Sequence, residues 1–150
     1  MTSDLNDLYQ ETIVDHSKRP RNKGALAHAT HRAEGYNPLC GDRVTVELNV
    51  EDGRISGLGF EGSGCAISKA AASMMTQAVK GKSKEDAEQL FTSFHEMVTS
   101  DSDEGNVAER LGNLKVFSGV REFPVRVKCA TLPWHTMHAA LNNEALVSTE

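Results

Sequence analysis

Three cysteines, Cys40, Cys65 and Cys129, are the side chains of this chain best suited to chemistry. Their number is odd, they are widely spaced, and the first residues do not resemble an export signal, so a disulfide framework is disfavoured. One interpretation is that each thiol fills space as a small buried hydrophobe, which is a frequent fate of an isolated cysteine. The residues around them favour a second interpretation, in which the thiols are tuned for reactivity or for binding a metal.

Each cysteine is predicted to lie at the boundary of a secondary-structure element. Cys40 lies in a Pro-Leu-Cys-Gly-Asp turn, Cys65 begins a helix after Gly-Ser-Gly, and Cys129 is near the end of a helical turn before Pro133. Boundaries and loops are where a scaffold presents functional side chains. A cysteine that only fills the core is not expected to occur preferentially at boundaries and loops.

Positive charge is expected beside two of the thiols. At Cys65 the unpaired N–H groups of the first helical turn favour the thiolate, and Arg126 and Lys128 place cations close to Cys129. We expect these two cations to support the site by offsetting negative charge. The alternative is that they are ordinary exposed charges of a helix.

Asp42 makes the cluster more specific. A Cys-Gly-Asp turn can bring the thiolate of Cys40 and the carboxylate of Asp42 to one point, because Gly41 has no Cβ. With Cys65 and Cys129 the set becomes three thiolates and one carboxylate, which suits tetrahedral Zn²⁺ or an iron–sulfur cluster. The paired Cys-x-x-Cys motifs of ordinary structural zinc sites are missing from the sequence. Spacing alone therefore does not decide whether a metal binds.

The first half of the chain is predicted to form a helix and a β-hairpin. Apolar residues recur at helical spacing over residues 4–17, with Ser3 as the cap, and Pro20 ends the helix. Residues 44–50 alternate strictly between apolar and polar side chains, and a turn at 51–53 leads into a returning strand over 54–61. Gly57 and Gly59 predict a bulge or a close backbone approach. Residues 25–36 are expected to contribute a further strand.

The second half is predicted to be helical. One helix covers residues 65–80 and is closed by Gly81, and a second opens at a capping box formed by Ser83 and Asp86. An acidic loop over 99–106 and a short helical piece within 107–114 follow, and Pro133 begins the last helix. The predicted fold is α+β, a small antiparallel sheet of about three strands with helices packed on one face.

Composition excludes several classes of protein. The 150 residues, 39% hydrophobic and 25% charged, suit a single domain over 1–150. No apolar run approaches the ~20 residues of a membrane helix, so we expect no membrane partner and a cytoplasmic location. The formal net charge of -5 argues against nucleic acid as a partner, because phosphate backbones bind cationic surfaces.

Four segments carry the most specific signal: Asp15-His16 through Pro20-Arg21-Asn22-Lys23-Gly24, Asn37-Pro38-Leu39-Cys40-Gly41-Asp42, Gly62-Ser63-Gly64-Cys65-Ala66-Ile67-Ser68, and Arg126-Val127-Lys128-Cys129-Ala130-Thr131-Leu132. In this order they closely resemble the IscU/NifU-N family of iron–sulfur cluster assembly proteins. Two features are similar to the SufU branch of that family. Lys128 stands where IscU-type members have a His, and residues 83–118 look like the SufU insertion.

The resemblance implies an IscU/SufU-like fold and a zinc-dependent sulfur relay. SufU-like members bind Zn²⁺ through residues that match Cys40, Asp42, Cys65 and Cys129. They accept persulfide sulfur from the cysteine desulfurase SufS on the residue that matches Cys40, after a His of the desulfurase replaces this Cys on zinc. The sulfur then passes to the SufBCD scaffold. Because the desulfurase breaks the bond that frees the sulfur, the chain would act as its co-substrate and activator.

Two other functions stay open at the level of sequence. An IscU-like scaffold would assemble a transient [2Fe–2S] cluster, or hold iron, on the same three cysteines. Lys128 disfavours this function, because a protonated ammonium cannot ligate iron. A binding module with a purely structural zinc would keep the metal buried and inert.

Histidine is a common zinc ligand and occurs six times. His16 lies in the matched Asp-His segment and is expected to pack or to form a hydrogen bond. The other five match no ligand position of the family and are left out of the predicted metal site: His28, His31, His95, His135 and His138. We hypothesise that the basic loop over residues 18–23 is the surface that docks the desulfurase.

Overall fold

The computed structural model of the chain describes residues 11–38, 41–99, 111–144 and 146–148. In chain order the elements are α1 (Glu11–Lys18), β1 (His31–Asn37), β2 (Asp42–Glu51), β3 (Arg54–Ser63), α2 (Ala66–Val79), α3 (Lys84–Thr99), a 3-10 helix (Gly112–Glu122), α4 (Pro124–Leu141) and β4 (Leu146–Ser148). The strands form one sheet in the order β3-β2-β1-β4. The predicted α+β class and its three antiparallel strands are confirmed, and β4 adds a short parallel strand beside β1 that the sequence pattern does not predict.

The β2–β3 hairpin follows directly from the sequence pattern. Val44, Val46 and Leu48 are buried on the inner face of β2, while the residues between them are more exposed. Asp52 and Gly53 both have positive φ, 52° and 76°, as a two-residue type I′ turn requires. Both strands and the turn are therefore confirmed.

Gly57 and Gly59 predict a bulge or a close backbone approach in β3, and the structure contains both. The pairing register shifts between Asn49 and Val50, so that Ser56, directly before Gly57, is the extra residue of a bulge in β3. At Gly59 an added Cβ would overlap the carbonyl oxygen of Gly24, because the loop after α1 crosses β3 at this point. This crossing fixes the basic loop against the sheet.

Helices cover the inner face of the sheet. Helix α4 packs against β1, β2 and α2, and α1 packs against α2. The approach of α4 to β1 is close enough that a Cβ on Gly35 would overlap the Thr136 hydroxyl. This contact sets the distance between α4, which carries Cys129, and the strands that lead to Asp42.

The prediction that Pro133 begins the last helix is wrong. Helix α4 starts at Pro124, which occupies the first turn, and runs through Pro133 to Leu141. Inside a helix Pro133 cannot donate an N–H to the carbonyl of Cys129 and costs about 3 kcal/mol. Burial of the surrounding side chains, Leu132 and Trp134 among them, offsets this cost.

The ends of the other helices agree with the sequence signals. Helix α2 is followed by Gly81 with φ 84°, and the hydroxyl of Ser83 accepts the N–H of Asp86 at 3.1 Å to cap α3. The predicted Ser3 cap, most of the acidic loop and the start of the helical piece after it lie outside the described residues. Within the described part of the chain, none of the helices has the length and apolar character needed to cross a bilayer.

Candidate metal centre

Asp42 is the first residue of β2 and points to the inner face of the sheet. Its side chain is 3% exposed, and it pairs in register with Asn37 of β1. The carboxylate accepts the backbone N–H of Cys65 at 3.1 Å through Oδ1. A carboxylate buried this deeply requires hydrogen-bond donors or a cation, so this backbone contact fixes one oxygen and leaves Oδ2 directed to other partners.

Cys65 is the N-cap of α2, as predicted. It has an extended backbone, with φ −73° and ψ 170°, and its Sγ accepts the N–H of Ser68 at 3.5 Å. An N-cap side chain normally uses an oxygen for this contact. Here the sulfur receives the partial positive charge of the helix N-terminus, which favours the thiolate.

Cys129 lies inside α4 and not at an element boundary, so this part of the prediction is wrong. The helix continues past Pro133, and Cys129 is 0% exposed in the second turn after Pro124. It therefore reaches the site from the core side, while Cys65 reaches it from a half-buried helix end.

The three side chains converge although they are distant in sequence. One ligand atom each of Asp42, Cys65 and Cys129 lies within 4.8 Å of the others, and Cys65 Sγ is 3.7 Å from Asp42 Oδ2. A tetrahedral zinc ion with ordinary Zn–S and Zn–O distances holds such a sulfur and oxygen about 3.5 Å apart. The donor set and its spacing therefore fit a metal ion.

The two thiols share their protons unequally. The pKa of the Cys65 thiol is lowered to about 6, mainly by a hydrogen bond from Cys129 and in smaller part by the N–H of Ser68, although burial acts in the opposite direction. The same hydrogen bond, together with burial, raises the pKa of Cys129. Cys65 is thus the first thiol to become a thiolate, and Cys129 holds the remaining proton.

Two cations of α4 were predicted beside these thiols. Arg126 is half-buried, and its charge also lowers the pKa of Cys65. Lys128 is half-buried next to Cys129 on the same helix.

Cys40, the fourth predicted ligand, lies outside the described residues. Gly41, which directly follows it, is described. Gly41 has φ 78° and donates its N–H to the carbonyl oxygen of Asn37 at 2.8 Å. The space where a Cβ would stand at Gly41 is open, so its positive φ, and not a steric conflict, is what requires glycine.

Ser68 and Gly64 shape the site and are not among the predicted site residues. A Cβ on Gly64 would stand 3.1 Å from the carboxyl carbon of Asp42 and 3.2 Å from the hydroxyl oxygen of Ser68. The Cys-x-x-Ser spacing is the signal that could have found Ser68, because an N-cap binds the N–H three residues later. Nothing in the local sequence shows that Gly64 makes room for a carboxylate from another strand.

The basic loop is held by a polar cluster on α2. Ser73 Oγ accepts the N–H of Arg21 at 2.8 Å and contacts His16 Nδ1 at 2.7 Å, which confirms that His16 forms a hydrogen bond. The side chain of Arg21 pairs with Asp15 at 2.7 Å. This cation of the loop is therefore already engaged within the molecule.

Fold and site together define a class of protein. The chain forms an α+β domain in which a strand end, a helix N-terminus and a helix interior bring a buried carboxylate and two thiols to one point. Residues 8–130 match the NifU-like N terminal domain family, and the chain belongs to this IscU/NifU-N family, as the sequence motifs predict.

Relatives in two named groups match almost the whole chain. The zinc-dependent sulfurtransferase SufU of Bacillus subtilis (strain 168) is 39% identical over 142 residues, covering 95% of each chain. The iron-sulfur cluster assembly scaffold protein IscU of Streptococcus pyogenes serotype M1 is 41% identical over 143 residues, which is 95% of this chain and 88% of that one. Both names concern iron–sulfur cluster assembly or sulfur transfer.

Solved structures agree with the fold. The crystal structure of FiSufU from Fervidobacterium islandicum AW-1 superposes with a TM-score of 0.83 at 36% identity, over 91% of this chain and 98% of that one. The N-terminal part of a NifU-like protein from Brucella abortus superposes with a TM-score of 0.84 over 94% and 96% of the two chains. Its 24% identity supports the fold alone.

Proposed function

We propose that this chain is a zinc-dependent sulfurtransferase of iron–sulfur cluster biogenesis. It takes persulfide sulfur from a SufS-type cysteine desulfurase and relays it to the SufBCD scaffold. The observation that carries the proposal is the convergence of Asp42, Cys65 and Cys129 within 4.8 Å. The 39% identity to a protein named as a zinc-dependent sulfurtransferase supports both the metal and the activity.

The donor set favours zinc. Cys40, Cys65, Cys129 and Asp42 would hold the ion, and three soft thiolates with one carboxylate suit a tetrahedral site. Bound zinc would keep the thiols deprotonated at neutral pH. The half-buried cations Arg126 and Lys128 support the site by offsetting the charge of these anionic ligands.

Cys40 is the sulfur acceptor in this proposal. Its thiolate attacks the sulfane sulfur of the desulfurase persulfide, a new S–S bond forms on Cys40, and the S–S bond of the desulfurase breaks. The electron pair leaves with the desulfurase cysteine as its thiolate, so no oxidant or reductant is needed. Cys65 and Cys129 are enclosed by α2 and α4, one half-buried and the other buried, which leaves them less accessible to a partner than a loop cysteine.

The proposal includes the organisation and setting of the protein. One domain spans residues 1–150, and residues 83–118, which contain α3 and part of the 3-10 helix, are a SufU-type insertion. The protein acts in the cytoplasm, with the desulfurase and the scaffold as its partners. The desulfurase approaches the side of the site where the loop between β1 and β2 carries Cys40.

A second function is supported by the names of other relatives. The IscU scaffold proteins of Streptococcus pyogenes and Thermotoga maritima are 41% and 38% identical to this chain, and a scaffold would assemble a [2Fe–2S] cluster on the same thiols. The two functions differ in the purified protein. A relay protein is colourless and holds one zinc per chain, whereas a scaffold contains iron and absorbs visible light.

A desulfurase assay, with and without the chain, tests the proposal. The wild-type protein should stimulate sulfide release from cysteine by a SufS-type enzyme, and Cys40→Ser should abolish the stimulation while the variant stays folded. A Cys40→Ser protein that stimulates normally would overturn the acceptor role. If the zinc is purely structural, Cys40→Ala will instead lower thermal stability. In that case neither the wild-type protein nor the variant will stimulate the desulfurase.

Two aspartates give a matched pair for the metal site. Asp42→Asn removes a buried charge next to the thiols, whereas Asp52→Asn changes an exposed turn residue whose positive φ suits asparagine equally well. Zinc content should fall in the first variant and stay unchanged in the second. Equal zinc content in both would exclude Asp42 as a ligand.

A further inference from the structure

A cluster of imidazoles lies between α3 and α4, outside the thiolate site. His95 comes from α3, while His135 and His138 come from α4, and all three rings contact Phe91. The centroids of the His95 and His135 rings are 5.4 Å apart, with planes at 80°. The proposed sulfur transfer makes no use of these side chains.

Spacing within the cluster fits a shared metal ion. Zinc binds imidazole nitrogen at about 2.0–2.1 Å, so two imidazoles on one tetrahedral ion have centroids about 5 Å apart. The His95–His135 separation of 5.4 Å is close to this value. His138 is one helical turn from His135 on the same face of α4, where residues three apart are neighbours.

The carboxylate of Glu88 holds the third imidazole. Glu88 Oε2 lies 2.7 Å from His138 Nδ1, and Glu88 Oε1 is buried with no hydrogen-bond partner among the described residues. A carboxylate on one ring nitrogen orients the imidazole and raises the basicity of the other nitrogen, as is common for metal-binding histidines. Nε2 of His138 is then the nitrogen available to a metal.

His135 is held in the form that binds metals. Burial lowers the pKa of this imidazole to about 4, and the neighbouring charges of His95 and His138 act in the same direction. Near neutral pH the ring is therefore uncharged and keeps the lone pair that a metal ion needs.

We propose that His95, His135 and His138 form a second metal site, which takes a divalent transition ion that prefers imidazole, such as Zn²⁺, Ni²⁺ or Co²⁺. Among the described residues, only Asp42, Cys65 and Cys129 already have three ligand atoms within 4.8 Å, so metal binding at the imidazole site requires the rings of His95 and His135 to turn towards Nε2 of His138. His135 is six positions after Cys129 in α4, which is about 9 Å along the helix. The two sites are therefore distinct, and this proposal does not depend on the sulfurtransferase function.

Cobalt titration of the full chain, purified without a histidine tag, tests the site. Co²⁺ bound by thiolates shows intense ligand-to-metal charge transfer in the near ultraviolet, whereas Co²⁺ bound by imidazoles shows only weaker visible bands. We expect a first equivalent with charge transfer and a second without it. His95→Gln and His135→Gln should weaken the second equivalent at least tenfold, and the exposed control His28→Gln should leave it unchanged.

Two outcomes overturn the proposal. One is a wild-type titration that ends after the thiolate equivalent, and the other is a second equivalent that survives both His95→Gln and His135→Gln. His135 is packed between helices, whereas the side chain of His138 is 39% exposed. If His135→Gln does not fold, His138→Gln takes its place in the test. Desulfurase stimulation should be unchanged in the histidine variants, so failure of this site is distinguishable from failure of the relay.

Discussion

Gly64→Ala probes how tightly the carboxylate of Asp42 is held in the metal centre. The added methyl would stand 3.1 Å from Cγ and Oδ1 of Asp42 and 3.2 Å from Oγ of Ser68, a few tenths of an ångström inside ordinary contact. Overpacking of this kind costs about 1–3 kcal/mol. Gly64 does not have a positive φ, so alanine introduces no backbone strain there. The carboxylate can relieve the contact only by moving, and it is fixed by the N–H of Cys65.

We expect the cost to appear mainly as weaker metal binding. A loss of about 1.4 kcal/mol corresponds to a tenfold lower zinc affinity, measured by competition with a chromophoric chelator. The control is Gly57→Ala in β3, where the new methyl would be 3.5 Å from Asn49, an ordinary contact distance. Zinc affinity equal to wild type in Gly64→Ala, with the protein folded, would show that Asp42 is not packed against the metal as described.

Three further predictions concern the stability of the fold. Gly35→Ala places a methyl against the Thr136 hydroxyl and should lower the free energy of unfolding by about 2–3 kcal/mol in urea denaturation, and a loss below 0.5 kcal/mol would contradict the close approach of α4 to β1. Ser83→Ala removes the hydroxyl that caps α3 through the N–H of Asp86, and should cost about 1 kcal/mol by the same measurement, with an unchanged value arguing against the cap. The lowered pKa of His135, about 4 against an ordinary 6.5, means that the unfolded chain binds the proton more readily. Stability should therefore fall as the pH drops from about 6.5 towards 4, by about 1–2 kcal/mol after screening by solvent at the half-exposed ring, and His135→Gln should remove this part of the pH dependence.

Local patterns predict the hairpin and the starts of α2 and α3 well. The alternation over residues 44–50 and the positive-φ residues Asp52 and Gly53 determine β2, the turn and β3 without help from the rest of the chain. Cys65 follows a glycine-rich turn and precedes an apolar helical pattern, so its position as an N-cap is also readable from sequence.

Features that depend on tertiary contacts are harder to predict. Pro133 has the same local appearance as a proline that begins a helix, and only the burial of Leu132 and Trp134 explains why α4 continues through it. For the same reason the position of Cys129 inside α4 is not visible in the sequence. The strand β4 has only three residues and no periodicity of its own, so its pairing with β1 is likewise a tertiary effect.

The candidate site likewise has features that the sequence predicts and features that depend on tertiary contacts. Residue types and family motifs predict its ligands, and the structure brings together three of the four, Asp42, Cys65 and Cys129. The room that Gly64 leaves for Asp42 depends on how a turn meets a separate strand, and the histidine cluster depends on how α3 meets α4. Neither relation has a signature in the linear sequence.

X-ray absorption at the zinc edge tests the central claim most directly. In protein loaded with one equivalent of zinc, three sulfur atoms at about 2.3 Å and one oxygen at about 2.0 Å should surround the ion, supplied by Cys40, Cys65, Cys129 and Asp42. Replacement of Cys40 by serine should lower the sulfur count by one. A coordination shell made mainly of nitrogen, or a sulfur count that does not change in the variant, would contradict a single ion bound by these four side chains.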